Sequence, residues 1–202
     1  MATLIFFAVI LIVLVLLAGI LSDSVRRRSV KKKAWLLGGV LAGYALLWAI
    51  GYFTSRDKPV PFDTDVCFDD WCATVEGVDT AATLGMGPNA IRAQGIFLIL
   101  HVRMSNHARG IAQKPSEPSI HIVDGEGNVW AFSAGGQNAL ESTDGKQNEI
   151  GERLELRESK QTKLVFDIPR REKGLKALIE EGPFITAFLL PEDKSVFLLT
   201  TH

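Results

Sequence analysis

The sequence predicts a mainly β protein, in which a β-sandwich follows two transmembrane α-helices. Two apolar runs without charged side chains occupy residues 4–21 and 34–53. Each run has about the 20 residues that a helix needs to cross the hydrocarbon core of a bilayer. From residue 62 onward, short stretches of alternating apolar and polar residues are separated by turn residues, a pattern typical of a sandwich.

A strongly basic segment at residues 22–33 joins the two apolar runs. Short loops rich in Lys and Arg stay on the cytoplasmic side of a membrane. We therefore expect residues 1–53 to form a multi-pass hairpin in the cytoplasmic (inner) membrane, with the C-terminal domain in the periplasm or outside the cell. The cytoplasmic basic loop contains the six cations Arg26, Arg27, Arg28, Lys31, Lys32 and Lys33.

A cleaved signal peptide is the alternative interpretation of residues 1–21. Signal peptides carry basic residues before a shorter apolar core and a small-residue cleavage site after it. Here no basic residue precedes the apolar run, and the positive charges follow it. This order of charges favours a retained transmembrane helix.

The second apolar run contains Gly39 and Gly43, a spacing that lets two helix backbones approach closely. The glycines fit packing against the chain's own first helix, near Ala18 and Gly19, or association with a partner. We expect the first arrangement, because such spacings are common in apolar segments. The basic loop also predicts attraction to anionic lipid, so membrane lipids are expected partners.

Residues 54–61 are predicted to be a linker, since they are polar and their two prolines favour an extended path. Residues 62–202 are enough for one exoplasmic domain with its own core. The chain has 22 basic and 23 acidic residues; without the six loop cations and Asp23, 16 basic and 22 acidic residues remain, a net charge of −6. Such an acidic domain argues against a nucleic-acid partner.

The elements of this domain are predicted from periodicity and turn residues. The apolar run at 95–104 is long enough for a central strand. Leu175, Leu178 and Ile179 have helical spacing and Gly182 follows them, so we expect one short helix at 172–181. The other predicted strands lie at 119–123, 129–132, 153–168, 184–190 and 195–200, with turns at 124–128 and 191–194.

Three segments carry a resemblance to a known family. They are a hydrophobic strand followed by Asn at 97–106, a hairpin at 122–130 and a late strand at 163–169. In these segments the chain resembles the immunoglobulin-like domains of bacterial secreted and membrane-anchored proteins, many of them domains of unknown function. The resemblance covers about residues 75–199 and implies an immunoglobulin-like sandwich, without implying an activity. Many relatives are anchored by a lipidated cysteine or one helix, whereas this chain has two predicted helices.

Cys67 and Cys72 are the only cysteines of the chain. We expect them to form a structural disulfide, because they lie on the side of the membrane where disulfides form and persist. The alternative is a thiol-redox pair. Thiol-exchange enzymes usually space the pair as Cys-x-x-Cys at a helix N-terminus, and this pair is spaced more widely with no helix signal after it.

No metal or other cofactor is predicted. Asp63, Asp65, Asp69 and Asp70 lie close together but lack the central Gly and terminal Glu of an EF-hand loop. Two helices followed by a β-domain also resemble subunit II of haem–copper oxidases. The copper centre of that subunit needs His and Met ligands close behind its cysteines, near the end of the domain, and this sequence has none there.

Histidines and serines give no catalytic prediction. His101 and His121 lie on predicted strands and would form a two-His metal site only if those strands were neighbours. His107 has no evident acid or base partner, and no Gly-x-Ser-x-Gly nucleophile motif occurs. The polar, glycine-containing stretch 133–151 is predicted to be a long loop, which is either a flexible connection or, if the domain binds a partner, an edge of the binding site.

These observations predict a non-catalytic recognition or accessory module, anchored in the membrane and holding a protein or envelope component near it. The alternative is a structural subunit of a larger membrane complex assembled through the transmembrane helices. A weaker alternative is an envelope thiol-redox or metal-handling protein.

Overall fold

The computed structural model describes residues 2–182 and 194–199, with side chains from residue 4 onward. The chain divides into two compact units, one with the two N-terminal helices up to Arg56 and one that begins at Asp57. The predicted strand at 184–190 and most of the turn at 191–194 lie outside the described residues.

The first unit is a pair of helices, α1 (Ala2–Val25) and α2 (Lys31–Thr54), each 24 residues long. Neither contains proline; Leu, Ile and Val dominate α1, and Leu, Ala and Gly are the commonest residues of α2. At 1.5 Å per residue each helix is about 36 Å long, enough for a hydrocarbon core of about 30 Å. Both helices therefore have the length and composition of membrane-crossing segments.

The two helices pack along one seam. In α1, and in α2 as far as Tyr44, the less exposed residues recur every three or four positions, the spacing of a left-handed helix pair. At the basic end Lys33 Nζ lies 2.7 Å from Asp23 Oδ2 and 3.2 Å from the Gly19 carbonyl oxygen. The seam residues are Phe6, Val9, Val13, Leu16 and Ile20 in α1, with Leu37, Val40 and Tyr44 in α2.

Gly39 and Gly43 do not lie in this seam. A Cβ atom added at Gly38, Gly39 or Gly43 would meet no atom within 4 Å outside its own stretch of helix. The expectation that these glycines pack against α1 is therefore wrong. The cause is the heptad-like spacing of larger side chains, which turns Leu37, Val40 and Tyr44 toward α1 and the glycines away from it.

The second unit is a β-sandwich. Its strands are β1 (Asp57–Val60), β2 (Val66–Phe68), β3 (Trp71–Leu84), β4 (Ile91–Asn106), β5 (Ser119–Val123), β6 (Val129–Trp130), β7 (Ser159–Ile168), β8 (Lys176–Glu180) and β9 (Lys194–Leu198). One sheet has the strand order β1-β9-β8-β5-β6 and the other has the order β2-β3-β4-β7. Neighbouring strands are antiparallel except β1 and β9, which are parallel.

The core lies between the two sheets and follows the alternation of the strands. In β4, Leu98, Leu100, Val102 and Met104 are all buried on one face. Burial of each large side chain contributes about 1.5–3 kcal/mol. From the facing sheet the core receives Ile120, Ile122, Ala177, Ile179 and Phe197.

Asn106 explains why asparagine follows the long hydrophobic strand. Its side chain is buried and donates to the carbonyl oxygens of Leu154 and Ile111, each at 3.1 Å. Its Oδ1 accepts a hydrogen bond from the Ala108 N–H at 2.8 Å. Asn106 therefore joins two connections at one end of the sandwich to the end of β4.

Several elements differ from the sequence predictions. The expected linker at 54–61 contains β1, and only Ser55 and Arg56 separate this strand from α2. The expected helix at 172–181 contains β8, whose central residues are all buried, so both faces are apolar and the alternation typical of a strand is lost. The expected loop at 133–151 contains α3 (Ala134–Asp144), and the strands β2 and β3 were not predicted.

Helix α3 lies against β4 and β7, and Gly136 allows this close approach. A Cβ atom at Gly136 would lie 2.5 Å from Val165 Cγ1 and 3.1 Å from Phe97 Cε1, whereas one at Gly135 would have only an ordinary contact of 3.6 Å. We expect Gly136→Ala to lower the free energy of unfolding by about 1–3 kcal/mol through overpacking.

The matched control is Gly135→Ala, one position earlier in the same helix. It should leave stability unchanged or raise it by up to about 1 kcal/mol, because alanine favours the helix more than glycine does. Chemical denaturation of both variants measures the difference. Equal stability of the two would contradict the packing described for α3.

Candidate functional site

A cleft opens on the sandwich between β5 and β7, and we call it the β5–β7 cleft. Its volume is about 450 Å³, within the range of about 300–1,000 Å³ that is usual for ligand sites. One wall is formed by residues 118–121 and the other by Leu164 and Phe166 of β7. The remaining lining comes from Ala131, Phe132, Gln137, Glu141 and residues 147–150.

The short strand β6 creates this opening. It pairs with β5 at Ile122 and Val123 only, and the first half of β5 has no strand beside it on that side within residues 2–182 and 194–199. The chain then leaves the sheet, and Phe132 forms a bridge to Phe166 of β7 in the opposite sheet. The crossing chain closes one end of the gap between the sheets and leaves the cleft beside it.

Amide side chains form hydrogen bonds with backbone groups at the edge of β7, in place of a further strand. Gln137 donates to the Lys163 carbonyl oxygen at 2.9 Å and accepts from the Val165 N–H at 3.2 Å. Gln147 accepts from the Lys163 N–H at 3.1 Å, and Asn148 donates to the Gln161 carbonyl oxygen at 2.6 Å. These bonds protect the edge from pairing with other chains and fix the cleft wall.

Helix α3 begins at the position required for these contacts. Ser133 is its N-cap, and the Ser133 hydroxyl accepts a hydrogen bond from the Gly136 N–H at 3.2 Å. This start places Gln137 one turn inside the helix and over β7. The Ser133 cap was the sequence signal for α3, but the glycines at 135 and 136 favoured a loop.

The cleft combines apolar surface with acidic groups. Phe132 is 46% exposed, and Ile150 and Leu164 line the cleft with it. Glu141 accepts hydrogen bonds from Gln137 and from the Gln147 N–H, and Glu149 lies on the same lining. Apolar surface with two carboxylates is suited to a ligand that has both an apolar part and a cationic group.

Cys67 and Cys72 form the predicted disulfide. They face each other on β2 and β3, with a Cα–Cα distance of 3.9 Å. In the chain-entropy description so short a loop stabilises the fold by about 2 kcal/mol. The pair lies in a β-hairpin, so its cysteines are not at the helix N-terminus where redox pairs usually lie.

The acidic stretch near the disulfide takes part in ion pairs. Asp65 lies 3.4 Å from Arg103 and 3.4 Å from His107, and Arg103 also pairs with Glu76 at 2.7 Å. No group of three or more potential metal-binding side chains is found in the part of the chain that the structure describes. Asp65 therefore belongs to a charge network that joins the segment before β2 to β3 and β4.

His101 and His121 lie in different sheets. His101 is on β4 and pairs with Asp79 at 2.8 Å, whereas His121 is on β5 in the other sheet, so the two strands are not neighbours. The expectation that His107 has no partner is wrong, because its Nε2 lies 3.0 Å from Ser105 Oγ and 3.4 Å from Asp65 Oδ2. A Ser-His-Asp triad uses both ring nitrogens, and here one nitrogen makes both contacts.

Comparison with known proteins found solved structures that are distantly similar to this chain. No protein-family model and no curated protein matches this sequence significantly. A conserved hypothetical protein from Bacillus anthracis is 16% identical, with a TM-score of 0.48, over 63% of this chain and 93% of that one. An uncharacterized β-sandwich protein from Clostridium difficile is 12% identical, with a TM-score of 0.47, over 72% of this chain and 96% of that one.

A third similar structure is the secreted protein MPT63 of Mycobacterium tuberculosis. It is 12% identical, with a TM-score of 0.45, over 70% of this chain and 98% of that one. These likenesses concern the sandwich architecture alone. The strand order of the two sheets defines the C-terminal unit as a β-sandwich domain, which follows two apolar helices in the sequence.

The hydrogen bonds of Asp124, in the turn between β5 and β6, can be tested by the pH dependence of stability. The Asp124 carboxylate accepts hydrogen bonds from Asn128 Nδ2 and from the N–H groups of Glu126 and Asn128, at 2.8–2.9 Å. The side-chain bond from Asn128 is the largest cause that lowers the pKa of Asp124, although desolvation opposes it.

Because the folded-state pKa of Asp124 is depressed, its stabilising contribution is present above its unfolded pKa of about 3.9 and is lost as pH falls through the folded pKa. We expect Asp124→Asn to be less stable than the wild type at neutral pH, with the difference shrinking below about pH 4. Denaturant titrations across this range measure it. Parallel stability curves at all pH values would contradict the assignment.

Proposed function

We propose that this protein is a non-catalytic recognition or accessory module of the cytoplasmic membrane, with an immunoglobulin-like domain on the exoplasmic side. α1 and α2 are both transmembrane helices in this proposal, and the Arg and Lys residues between them remain in the cytoplasm. The distribution of charge carries the proposal, since six cations occupy the short connection between two helices of membrane-crossing length.

Two further features support this orientation. The disulfide between Cys67 and Cys72 suits an oxidising compartment outside the cytoplasm. The β5–β7 cleft gives the displayed domain a concave site in which apolar and acidic groups meet. The proposed ligand is a protein or envelope component with an apolar and a basic part, kept near the membrane by the anchor.

A structural subunit of a larger membrane complex is the second proposal. The observation that favours it is the open surface at Gly39 and Gly43, since neither glycine packs against α1. A thiol-redox or metal-handling role is a weaker proposal, centred on Cys67 and Cys72.

The orientation is tested by removing the loop cations. Substitution of all six by Gln should produce a mixture of orientations, because the bias that retains the loop in the cytoplasm is lost. The fraction of chains with Cys67 and Cys72 reduced, measured by thiol labelling and a gel shift, should rise from near zero to a large share, since cytoplasmic thiols stay reduced.

The matched control removes six exposed cations of the β-domain and should leave both cysteines oxidised. Complete oxidation in the loop variant as well would contradict the proposed role of the loop. The control positions are Arg109, Lys114, Lys146, Arg153, Arg171 and Lys173.

The cleft is tested with a photoreactive amino acid in intact cells. Placed at Phe132, it should crosslink to one discrete partner, and Glu149→Lys in the same chain should reduce the yield about tenfold, because a like charge then faces the basic group of the ligand. The control site is Ile111, which is 65% exposed and is not part of the cleft lining. The same products from Phe132 and Ile111 would contradict the cleft as the site.

A further inference from the structure

Helix α2 has a surface groove beside its seam with α1, and the seam residue Val40 forms part of the groove lining. The groove begins at Lys31 and Lys32, continues past Trp35 and reaches Gly39, with a volume of about 750 Å³. A second hollow of about 590 Å³ shares Trp35 and Gly39 and extends to Ala42. We call these two hollows the α2 groove.

The shape of the α2 groove suits a hydrocarbon chain. Gly38, Gly39 and Gly43 leave the helix backbone uncovered, and added Cβ atoms there would have open space. Trp35 is 83% exposed and forms a side wall at the basic end. From Lys31 to Gly43 the helix rises about 18 Å, close to the thickness of about 15 Å that one leaflet contributes to the core.

The charge at the mouth of the groove suits an anion. Lys33 is neutralised by Asp23 at 2.7 Å and lies in the seam with α1. Lys31 and Lys32 line the groove and have no ion pair with any residue in the described ranges 2–182 and 194–199. Two uncompensated ammonium groups therefore lie where a lipid phosphate would be, each contributing about 1 kcal/mol toward an anionic headgroup.

We propose that the α2 groove binds an anionic phospholipid of the cytoplasmic leaflet. Lys31 and Lys32 bind the phosphate, and the Trp35 indole lies at the depth of the glycerol ester groups. One acyl chain lies along Gly38, Gly39 and Ala42, which line the second hollow. This inference rests on the proposed membrane orientation of the hairpin. It adds a specific lipid site to the general attraction that a basic loop has for a negative surface.

A second copy of the chain fits the groove less well. In a parallel pair the lysines of both copies would face each other at the same depth, and like charges repel. Trp35 lies one turn before Gly39 and is highly exposed. In such a dimer its indole would hold the two α2 backbones apart where close packing at the glycines would begin. A single lipid chain is thinner than a helix and carries the complementary charge.

The test uses the full chain in phosphatidylcholine vesicles that contain phosphatidylglycerol as a minor component. Bromine atoms on the acyl chains of either lipid quench tryptophan fluorescence on contact. Brominated phosphatidylglycerol should quench more than brominated phosphatidylcholine at the same mole fraction. The difference should disappear in Trp35→Phe, since Trp48 lies toward the far end of α2.

Two double variants separate a site from diffuse attraction. Lys31→Gln with Lys32→Gln should lower the preference for phosphatidylglycerol about fivefold per lysine. Arg26→Gln with Arg27→Gln removes the same charge outside the groove and should retain most of the preference. Gly39→Leu fills the groove without changing charge and should also abolish the preference.

Three outcomes overturn the lipid site. Equal losses in the lysine and arginine variants would show diffuse attraction only, and equal quenching of wild-type Trp35 by both lipids would show no selectivity. No quenching of Trp35 by either lipid would show that protein covers the groove. If carbonate extraction removes the chain from membranes, the hairpin proposal fails as well; a chain that stays in the membrane without lipid preference refutes the groove alone.

Discussion

In the proposed membrane arrangement, the helical hairpin depends first on the cost of placing ionised groups in hydrocarbon. A Lys or Arg at the centre of a bilayer costs at least about 2.5–3.5 kcal/mol. In this chain the helices carry no charge between residues 4 and 22 or between 34 and 54, and their cations are gathered at one end of the hairpin. The ion pair between Asp23 of α1 and Lys33 of α2 joins the two helices at that same end, next to the charged turn.

The need to give polar groups hydrogen-bond partners also shapes the sandwich. Strand β7 ends a sheet, and unpaired edge groups would invite pairing with other chains. Gln137, Gln147 and Asn148 occupy those groups, which lets the sheet end without another strand. The two-residue strand β6 then leaves the facing sheet short, and the β5–β7 cleft is the space that results.

Much of the architecture was predictable from local sequence. Strand β5 was predicted with its observed bounds, and the strand predicted at 95–104 lies within the longer β4. The Cys67–Cys72 disulfide was expected because the sequence predicts an exoplasmic domain. These features depend on residues close together in sequence. The helical hairpin likewise follows from composition alone.

The missed elements depend on tertiary contacts. Strand β8 is buried on both faces, so its spacing matched a helix as well as a strand. Pro59 argued against a strand, yet β1 is an edge strand, where proline is tolerated. Helix α3 contains two glycines that favour loops, and Gly136 is needed there because Val165 and Phe97 lie against it. The cleft needs all of these elements together, so only its edge at 133–151 was anticipated.

The most direct measurement is protease digestion of spheroplasts, in which the outer face of the cytoplasmic membrane is accessible. The account predicts that the β-domain is degraded while a fragment with α1, the basic loop and α2 stays protected. An intact β-domain in sealed spheroplasts, cut only after lysis, would contradict the orientation on which the recognition role and the lipid site both depend.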